Sequence, residues 1–467
     1  MATITFLGGV GTVTGSKYLL KTSRHSLLID CGLFQGLAEL RKRNWDDPEF
    51  DVSALDAVII THAHIDHSGY LPRLVKLGYT GPVYTSKATA DLLRILLPDS
   101  ARLQEEEADY RNRHQLTSHS PALPLYEETD ANAAIKLLQT FANDGESHEI
   151  LDGIRISFMI AGHIMGASLV LVEMDDEASD GGTLRFLFSG DLGHYDQPII
   201  KDPIAPPACD YLMCESTYGD RLHDEVPAKE RLEEIINHAA SRNAPILIPA
   251  FAVGRTQEIL YLLRELEEER RIPILPVIVD SPMAAMATQV YNRWTDEHDE
   301  AYASILRGKR HPLRTHSMMT ASTREQSKRV NDMQGARIII SASGMLTGGR
   351  VLHHAIRILP NPDATIVFVG YQAAGTTGRK IIEGAREVKI MKNYVPVNCH
   401  IEHIDSFSAH ADWKGVLRWL EGLPSAPKLV FTTHGEPQAA ASMAQKIKER
   451  FGWETLVPQL NQTIELK

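Results

Sequence analysis

Short runs of consecutive apolar, largely β-branched residues recur along the chain, and each ends abruptly in Gly, Ser, Asp or His. "SLLIDCG" breaks at Asp30, "DAVIITHAH" at His62 and "LRFLFSGDLG" at Asp191. "APILIPAFAVGR" runs into "TQEILYLLRELEEERR", where Ile259, Leu260, Leu262, Leu263 and Leu266 fall at helical spacing. "PVIVDSPMA", "ARIIISASGML", "ATIVFVGYQ" and "KLVFTTHGE" repeat the theme. Strands without polar alternation are buried on both faces, and with helices between them they predict α/β layers. In such folds the polar residues at strand ends build the sites.

Three stretches depart from this pattern. "SARLQEEEADYRNRHQ" and "SHSPALPLYEETD" predict a solvated helix and connector, and "MDDEASDGGTLRF" a hairpin turn between two strands. "LGGVGTVTGSKYLL" lacks phosphate-loop spacing and precedes a strand-like segment, so it reads as a tight turn between two early strands.

Composition narrows the class. The chain has 467 residues, 43% of them hydrophobic and 23% charged, enough for two or three domains of ordinary globular make-up. No apolar run reaches membrane-spanning length, and no basic segment precedes the first apolar residues, so neither a membrane span nor a secretory signal is expected. Cys31, Cys209, Cys214 and Cys399 form no CxxC pair, which suits buried thiols in a reducing, cytoplasmic setting. The net charge of −12 disfavours a simple basic nucleic-acid-binding face, although a metal site or local basic cleft can hold phosphate in an acidic protein.

The chemistry concentrates in "VIITHAHIDHSG", where an apolar strand runs into His62, His64, Asp66 and His67. Such a cluster left unpartnered would cost kilocalories per buried polar group. His62 and His64, two apart, can share one ion, and Asp66 and His67 can reach a second. Imidazole and carboxylate suit zinc, iron or manganese. Other strand ends can complete the set: His163 in "AGHIMGAS", Asp191 in "FSGDLG", with two oxygens able to bridge, and His434 in "FTTHGE".

Asp30, His62-x-His64-x-Asp66-His67, His163 and Asp191 resemble the ordered motifs of the metallo-β-lactamase superfamily. "CESTYGDR" (Glu215), "SAHAD" (His410) and "TTHGE" (His434) resemble motifs A, B and C of its β-CASP nucleases, over essentially the whole chain. The compact bacterial form of that group is the nearest resemblance. The resemblance implies an αββα metallo-β-lactamase sandwich from residues 1–208 and 397–467, an inserted α/β β-CASP domain from 209–396, and a site in the cleft between them. It implies two zinc ions, one on His62, His64, His163 and Asp191, the other on Asp66, His67, Asp191 and His434. Asp30 would orient a ligand histidine.

Two adjacent ions suit phosphodiester hydrolysis, because they acidify a shared water and neutralise charge on phosphate. The family implies products with 5′-phosphate and 3′-hydroxyl ends. His410, positioned by Glu215, is the candidate to protonate the leaving oxygen. Histidine at motif C, here His434, goes with RNA in this family, so single-stranded RNA is the expected substrate. In the insert, Arg255, Ser281, Ser341, Ser343, Gly344, Arg350, Thr376, Thr377 and Arg379 lie in small, hydroxyl-rich loops that can cradle RNA phosphate, although capped strand-to-helix turns have the same composition. His353 and His354 are weaker candidates. His25, His119 and His238 read as surface or hydrogen-bonded residues. Endonucleolytic and 5′-exonucleolytic action both remain open, endonucleolytic first, and a homodimer is compatible with the resemblance. A small-molecule thioester or lactone hydrolase and an inert scaffold are the competing classes. The three motifs and long insert argue against the first, and the filled ligand positions against the second.

Overall fold

The computed structural model describes residues 2–115, 121–175, 182–224 and 226–467. Among these, two seven-stranded sheets make the first unit. In spatial order the first sheet is Thr463–Glu465, Thr3–Phe6, Tyr18–Lys21, Ser26–Ile29, Ala57–Ile59, Val83–Ser86 and Leu138–Phe141. The second is Thr455–Leu456, Leu429–Thr433, Tyr211–Glu215, Leu184–Phe188, Ser168–Met174, Ile154–Ile160 and His148–Leu151. Ile4, Phe6, Leu20, Leu27, Ile29 and Ile59 from one sheet meet Ile156, Phe158, Val170, Val172, Phe186 and Phe431 from the other in one buried cluster. Each such side chain contributes about 1.5–3 kcal/mol on burial. Helix Lys87–Arg113 contacts Val83–Ser86 and helix Pro437–Phe451 contacts Leu429–Thr433, which gives helices to both sheets. This is the expected αββα sandwich.

In both sheets, most strands that carry the site are parallel to a neighbour, the exception being Ile154–Ile160, which pairs antiparallel on both sides. Ser26–Ile29, Ala57–Ile59 and Val83–Ser86 are parallel in the first. Leu184–Phe188, Tyr211–Glu215 and Leu429–Thr433 are parallel in the second. Their carboxyl ends therefore point the same way, and the residues that follow them converge.

The second unit has its own six-stranded sheet: Met318–Thr320, Val277–Asp280, Arg337–Ser341, Pro245–Pro249, Thr365–Val369 and His400–Ile404, all parallel. Leu247, Ile278, Ile339, Ile366 and Phe368 centre its core. The units are Met1–Asp196, Lys201–Leu222 and His410–Lys467 for the first, Gln197–Ile200 and His223–Ala409 for the second. The division falls later in the chain than 208 and 397. Tyr211–Glu215 completes the second sheet of the sandwich, and His400–Ile404 pairs with Thr365–Val369 in the insert.

Other expectations are refined. Residues 7–17 form a long loop instead of a tight turn, with Gly9, Gly11 and Gly15 in the left-handed region. The charged segment is the second half of helix Lys87–Arg113, but the connector is only partly solvated, since Leu125 and Tyr126 are buried. Ser168–Met174 and Leu184–Phe188 pair antiparallel as a hairpin requires, while residues 176–181 of its turn, and His119, lie outside the described residues. His25 contacts the Asp152 carbonyl at 3.1 Å. All four cysteines are free and buried, and burial pushes the Cys31 thiol up to about 12. Among the described residues no helix is long and apolar enough to cross a membrane.

Candidate metal centre

The "HAHIDH" turn follows strand Ala57–Ile59, and Asp66 and His67 sit in the one-turn helix Ile65–Ser68. Neighbouring backbone fixes this turn: Ser16, Cys31 and Leu33 donate N–H groups to the carbonyls of Asp66, His67 and Ile65 at 2.9, 2.7 and 2.9 Å. Gly32 permits that approach, because a Cβ there would lie 1.6 Å from the Asp66 carbonyl oxygen. His163 follows strand Ile154–Ile160 in a loop anchored at Gly166, whose carbonyl accepts from Ser86 Oγ (2.7 Å) and Thr89 Oγ1 (2.8 Å). Asp191, Glu215 and His434 follow or end strands of the second sheet, and His410 pairs as an isolated bridge with Gly193. Asp30 and His434 hold φ of 58° and 49°. Such left-handed backbone costs non-glycine residues of order 1 kcal/mol and gathers at functional sites.

Asp191, 1% exposed, lies at the centre. Its Oδ2 is 3.4 Å from His62 Nε2 and 3.5 Å from His163 Nε2. His64 Nδ1 completes that side, 3.1 Å from His62 Nε2 and 3.2 Å from His163 Nε2. Asp191 Oδ1 turns to the other side, 3.1 Å from His67 Nε2 and 2.7 Å from His434 Nδ1. Asp66 Oδ2 stands 3.6 Å from His434 Nε2, which also meets the Val13 carbonyl at 2.8 Å. His62, His64, His163 and Asp191 form one group whose donor atoms lie within 4.8 Å of one another, and Asp66, His67 and His434 form another.

Asp30 supports this arrangement from below. Its Oδ2 accepts from His67 Nδ1 at 2.7 Å, and its Oδ1 accepts from the Thr61 amide at 2.8 Å. His67 is thereby turned so that its buried Nε2 faces the cluster, 3.1 Å from Asp191 Oδ1. A buried imidazole nitrogen aimed at carboxylate and imidazole donors is the geometry of a metal ligand. Thr61 escaped the sequence reading; its place directly before His62 was the only signal. Across the cluster, His410 Nδ1 lies 3.1 and 3.2 Å from the two Glu215 oxygens and 3.9 Å from Asp191 Oδ2. The Leu192 amide, donating to Glu215 Oε1 at 2.6 Å, fixes that carboxylate.

Burial and neighbouring charge set the protonation states. Burial holds His62 below the ordinary imidazole range, with His67 adding to the effect, and His64 and His163 well below it. Neutral imidazole is the ligating form. Burial also opposes charge on His67, but Asp191 and Asp30 outweigh it and raise that imidazole well above its usual value. Burial would raise Asp191, yet His434, His67 and His62 together hold it well below the carboxylate range. His410, opposed by burial but facing Glu215 and Asp191, is raised to about 9.

The insert's expected phosphate ligands are occupied within their own unit. Ser281 and Thr376 cap helices Pro282–Arg293 and Thr377–Ile382, accepting from the Ala284 and Arg379 amides, with Thr377 as the first residue of the second. Ser341 Oγ donates to the Asp280 carbonyl, and Ser343 Oγ lies 3.0 Å from Thr347 Oγ1. Arg350 gives Nη1 to Asp280 Oδ1 and the Ala321 carbonyl, and Nη2 to the Ser322 carbonyl. Arg255, 8% exposed, pairs with Glu258, and Arg379 pairs with Glu383. His354 is buried between Asp280 Oδ2 (2.7 Å) and Asn331 Oδ1 (2.8 Å). Gly344 lies against Phe251. Within the unit these side chains serve as caps, loop hydrogen bonds and ion pairs, as capped strand-to-helix turns of the same composition would, and contact of these loops with RNA phosphate stays an expectation.

A two-sheet sandwich with a histidine–aspartate cluster at its parallel strand ends defines a metallo-hydrolase of the metallo-β-lactamase fold. Family comparison agrees. Residues 10–153 match the "Metallo-beta-lactamase superfamily", 256–381 the "Beta-Casp domain" and 394–458 the "Zn-dependent metallo-hydrolase RNA specificity domain". A ribonuclease of Thermus thermophilus is 35% identical over 447 residues, 95% of each chain. The transcription termination factor FttA of Pyrococcus abyssi is 32% identical over 492 residues, covering 99% of this chain and 71% of that protein. The crystal structure of a protein of unknown function from Enterococcus faecalis V583 shares the fold, with a TM-score of 0.53, 14% identity and full coverage of both chains. The chain belongs to the β-CASP ribonuclease family of metal-dependent hydrolases.

Proposed function

We propose that the chain hydrolyses phosphodiester bonds of single-stranded RNA on two zinc ions, cutting internally and leaving 5′-phosphate and 3′-hydroxyl ends. The observation that carries this reading is Asp191, whose two oxygens face two separate donor groups. His62, His64, His163 and Asp191 Oδ2 would hold one ion; Asp66, His67, His434 and Asp191 Oδ1 would hold the other. Zinc in such a pair supplies Lewis-acid polarisation of a water and of the phosphate oxygens.

The chain's own groups do the rest. Asp30 orients His67 and keeps its Nδ1 occupied, so Nε2 would be the atom left to hold an ion. Glu215, fixed by the Leu192 amide, sets the His410 ring. With its pKa raised to about 9, His410 holds a proton at neutral pH and can deliver it to the departing 3′-oxygen.

The test uses zinc-loaded protein and RNA labelled at the 5′ end or internally, beside matched DNA, resolved on a sequencing gel. Internal RNA fragments with 5′-phosphates are expected. Release of mononucleotides from the 5′ end would replace the endonuclease reading with an exonuclease at the same centre. Untouched RNA, with a small thioester or lactone consumed instead, would overturn the substrate assignment.

A further inference from the structure

Lys17 stands at the end of the loop at 7–17, directly before strand Tyr18–Lys21. Lysine is rarely buried without a partner of opposite charge. This one is 7% exposed, and among the described residues no carboxylate pairs with it. Burial lowers its pKa to about 8, so the ammonium keeps its charge at neutral pH. Nζ donates to the Gly32 carbonyl at 3.1 Å and stands 4.2 Å from the centre of the Tyr70 ring and 4.8 Å from that of Phe34. Both rings are buried. Taking an ammonium out of water costs stability that one carbonyl and two ring faces return only in part. Such a group is poorly explained as a stabiliser of the fold.

Its partners belong to the two segments whose contact fixes the turn of Asp66 and His67. Gly32 and Phe34 lie on the clasping side, where Cys31 and Leu33 donate to the carbonyls of His67 and Ile65. Asn44 Oδ1 holds that side by accepting from the Phe34 amide at 2.9 Å. Tyr70 lies on the side of the turn, three residues past His67, and its amide donates to the Cys31 carbonyl at 2.8 Å. The residue before Lys17 joins the same knot: the Ser16 amide donates to the Asp66 carbonyl at 2.9 Å, and the Ser16 carbonyl accepts from the Gly32 amide at 3.0 Å. One ammonium thus touches both segments at once, where the other bonds named between them join backbone to backbone.

We propose that Lys17 is a positioning residue for the ion on Asp66, His67 and His434, stapling segment 31–34 to segment 65–70 so that the two ligands of that turn stay in place. The proposal rests on the two-ion reading above. The other ion draws on His62, His163 and Asp191, none of which lies in either segment.

The test measures zinc affinity by competition with a chromophoric chelator, and thermal melting of the metal-free chain, each against the same protein with Lys17 intact. Two backgrounds separate the ions. His64→Ala leaves the Asp66, His67 and His434 group complete, and His434→Ala leaves the His62, His64, His163 and Asp191 group complete. In the first, Lys17→Met, which keeps a long stem but neither charge nor donor, is expected to weaken zinc binding about 10- to 100-fold, as loss of a group supporting a ligand does. In the second it should leave zinc affinity unchanged. The metal-free melting temperature should stay close to that with Lys17 in both, because losing a buried charge offsets losing its hydrogen bond. Lys17→Arg, which restores charge, donor and ring contact, should recover most of the affinity. Unchanged zinc affinity of Lys17→Met in the His64→Ala background would overturn the staple. So would equal losses in both backgrounds, or a loss that comes with a lower metal-free melting temperature and no recovery in Lys17→Arg, since either makes Lys17 a residue of the general fold. Failure of the protein with all its ligands to bind zinc would defeat the two-ion reading itself, and this proposal with it.

Discussion

Asp191 divides its two oxygens between two sets of imidazoles, and the rest of the centre can be read as what keeps that division in place. Asp30 meets His67 through one 2.7 Å hydrogen bond and also accepts from the Thr61 amide at 2.8 Å. Asp30→Asn should therefore leave the fold intact but lower zinc affinity about 10- to 100-fold, measured by competition with a chromophoric chelator. Glu215 acts on His410 by charge. A carboxylate beside an imidazolium raises its pKa, so Glu215→Gln should bring the alkaline fall of kcat to lower pH than in the parent; an unshifted limb would remove His410 as the proton donor. At this scale the candidate metal cluster was legible, because three histidines and a carboxylate in six residues have few other uses. The role of the insert's hydroxyl-rich loops was less so. Ser281 and Thr376 look the same in sequence whether they cap a helix or bind an anion, and only the observed bonds to Ala284 and Arg379 decide.

Between strands and turns, the decisive contacts are backbone ones. The turn bearing Asp66 and His67 is clasped by the segment around Gly32, and a Cβ at that position would meet the Asp66 carbonyl at 1.6 Å. Gly32→Ala should destabilise the fold by about 1–3 kcal/mol or more, as overpacking does, and should cost zinc affinity as well; thermal melting and zinc titration check both. In the insert, Asp280 gathers Arg350, His354 and Ser327 in one buried network. Asp280→Ala would leave the buried His354 ring without its carboxylate and take one partner from the part-buried Arg350, and should cost about 1–3 kcal/mol in denaturant unfolding. Strand positions were legible from apolar runs. The extent of the loop at 7–17 was not, because glycine marks a turn without fixing its length. The unit boundaries also shifted, since Tyr211–Glu215 and His400–Ile404 have the same apolar character whichever sheet they join.

Across the whole molecule, the chain returns after the insert to finish a site begun near its start. His434 meets Asp191 although 243 residues separate them. No local pattern reports that closure; it follows from Leu429–Thr433 taking its place beside Tyr211–Glu215 in the second sheet. This closure completes the site of a metal-dependent ribonuclease. The most direct measurement strips the protein with chelator and then follows cleavage of internally labelled single-stranded RNA as zinc is added back, in the parent and in His64→Ala. Stripped protein is expected to leave the RNA uncut, added zinc to restore cleavage up to two ions per chain, and His64→Ala to show no recovery. Cleavage that survives both chelation and His64→Ala would place the activity elsewhere and contradict this assignment.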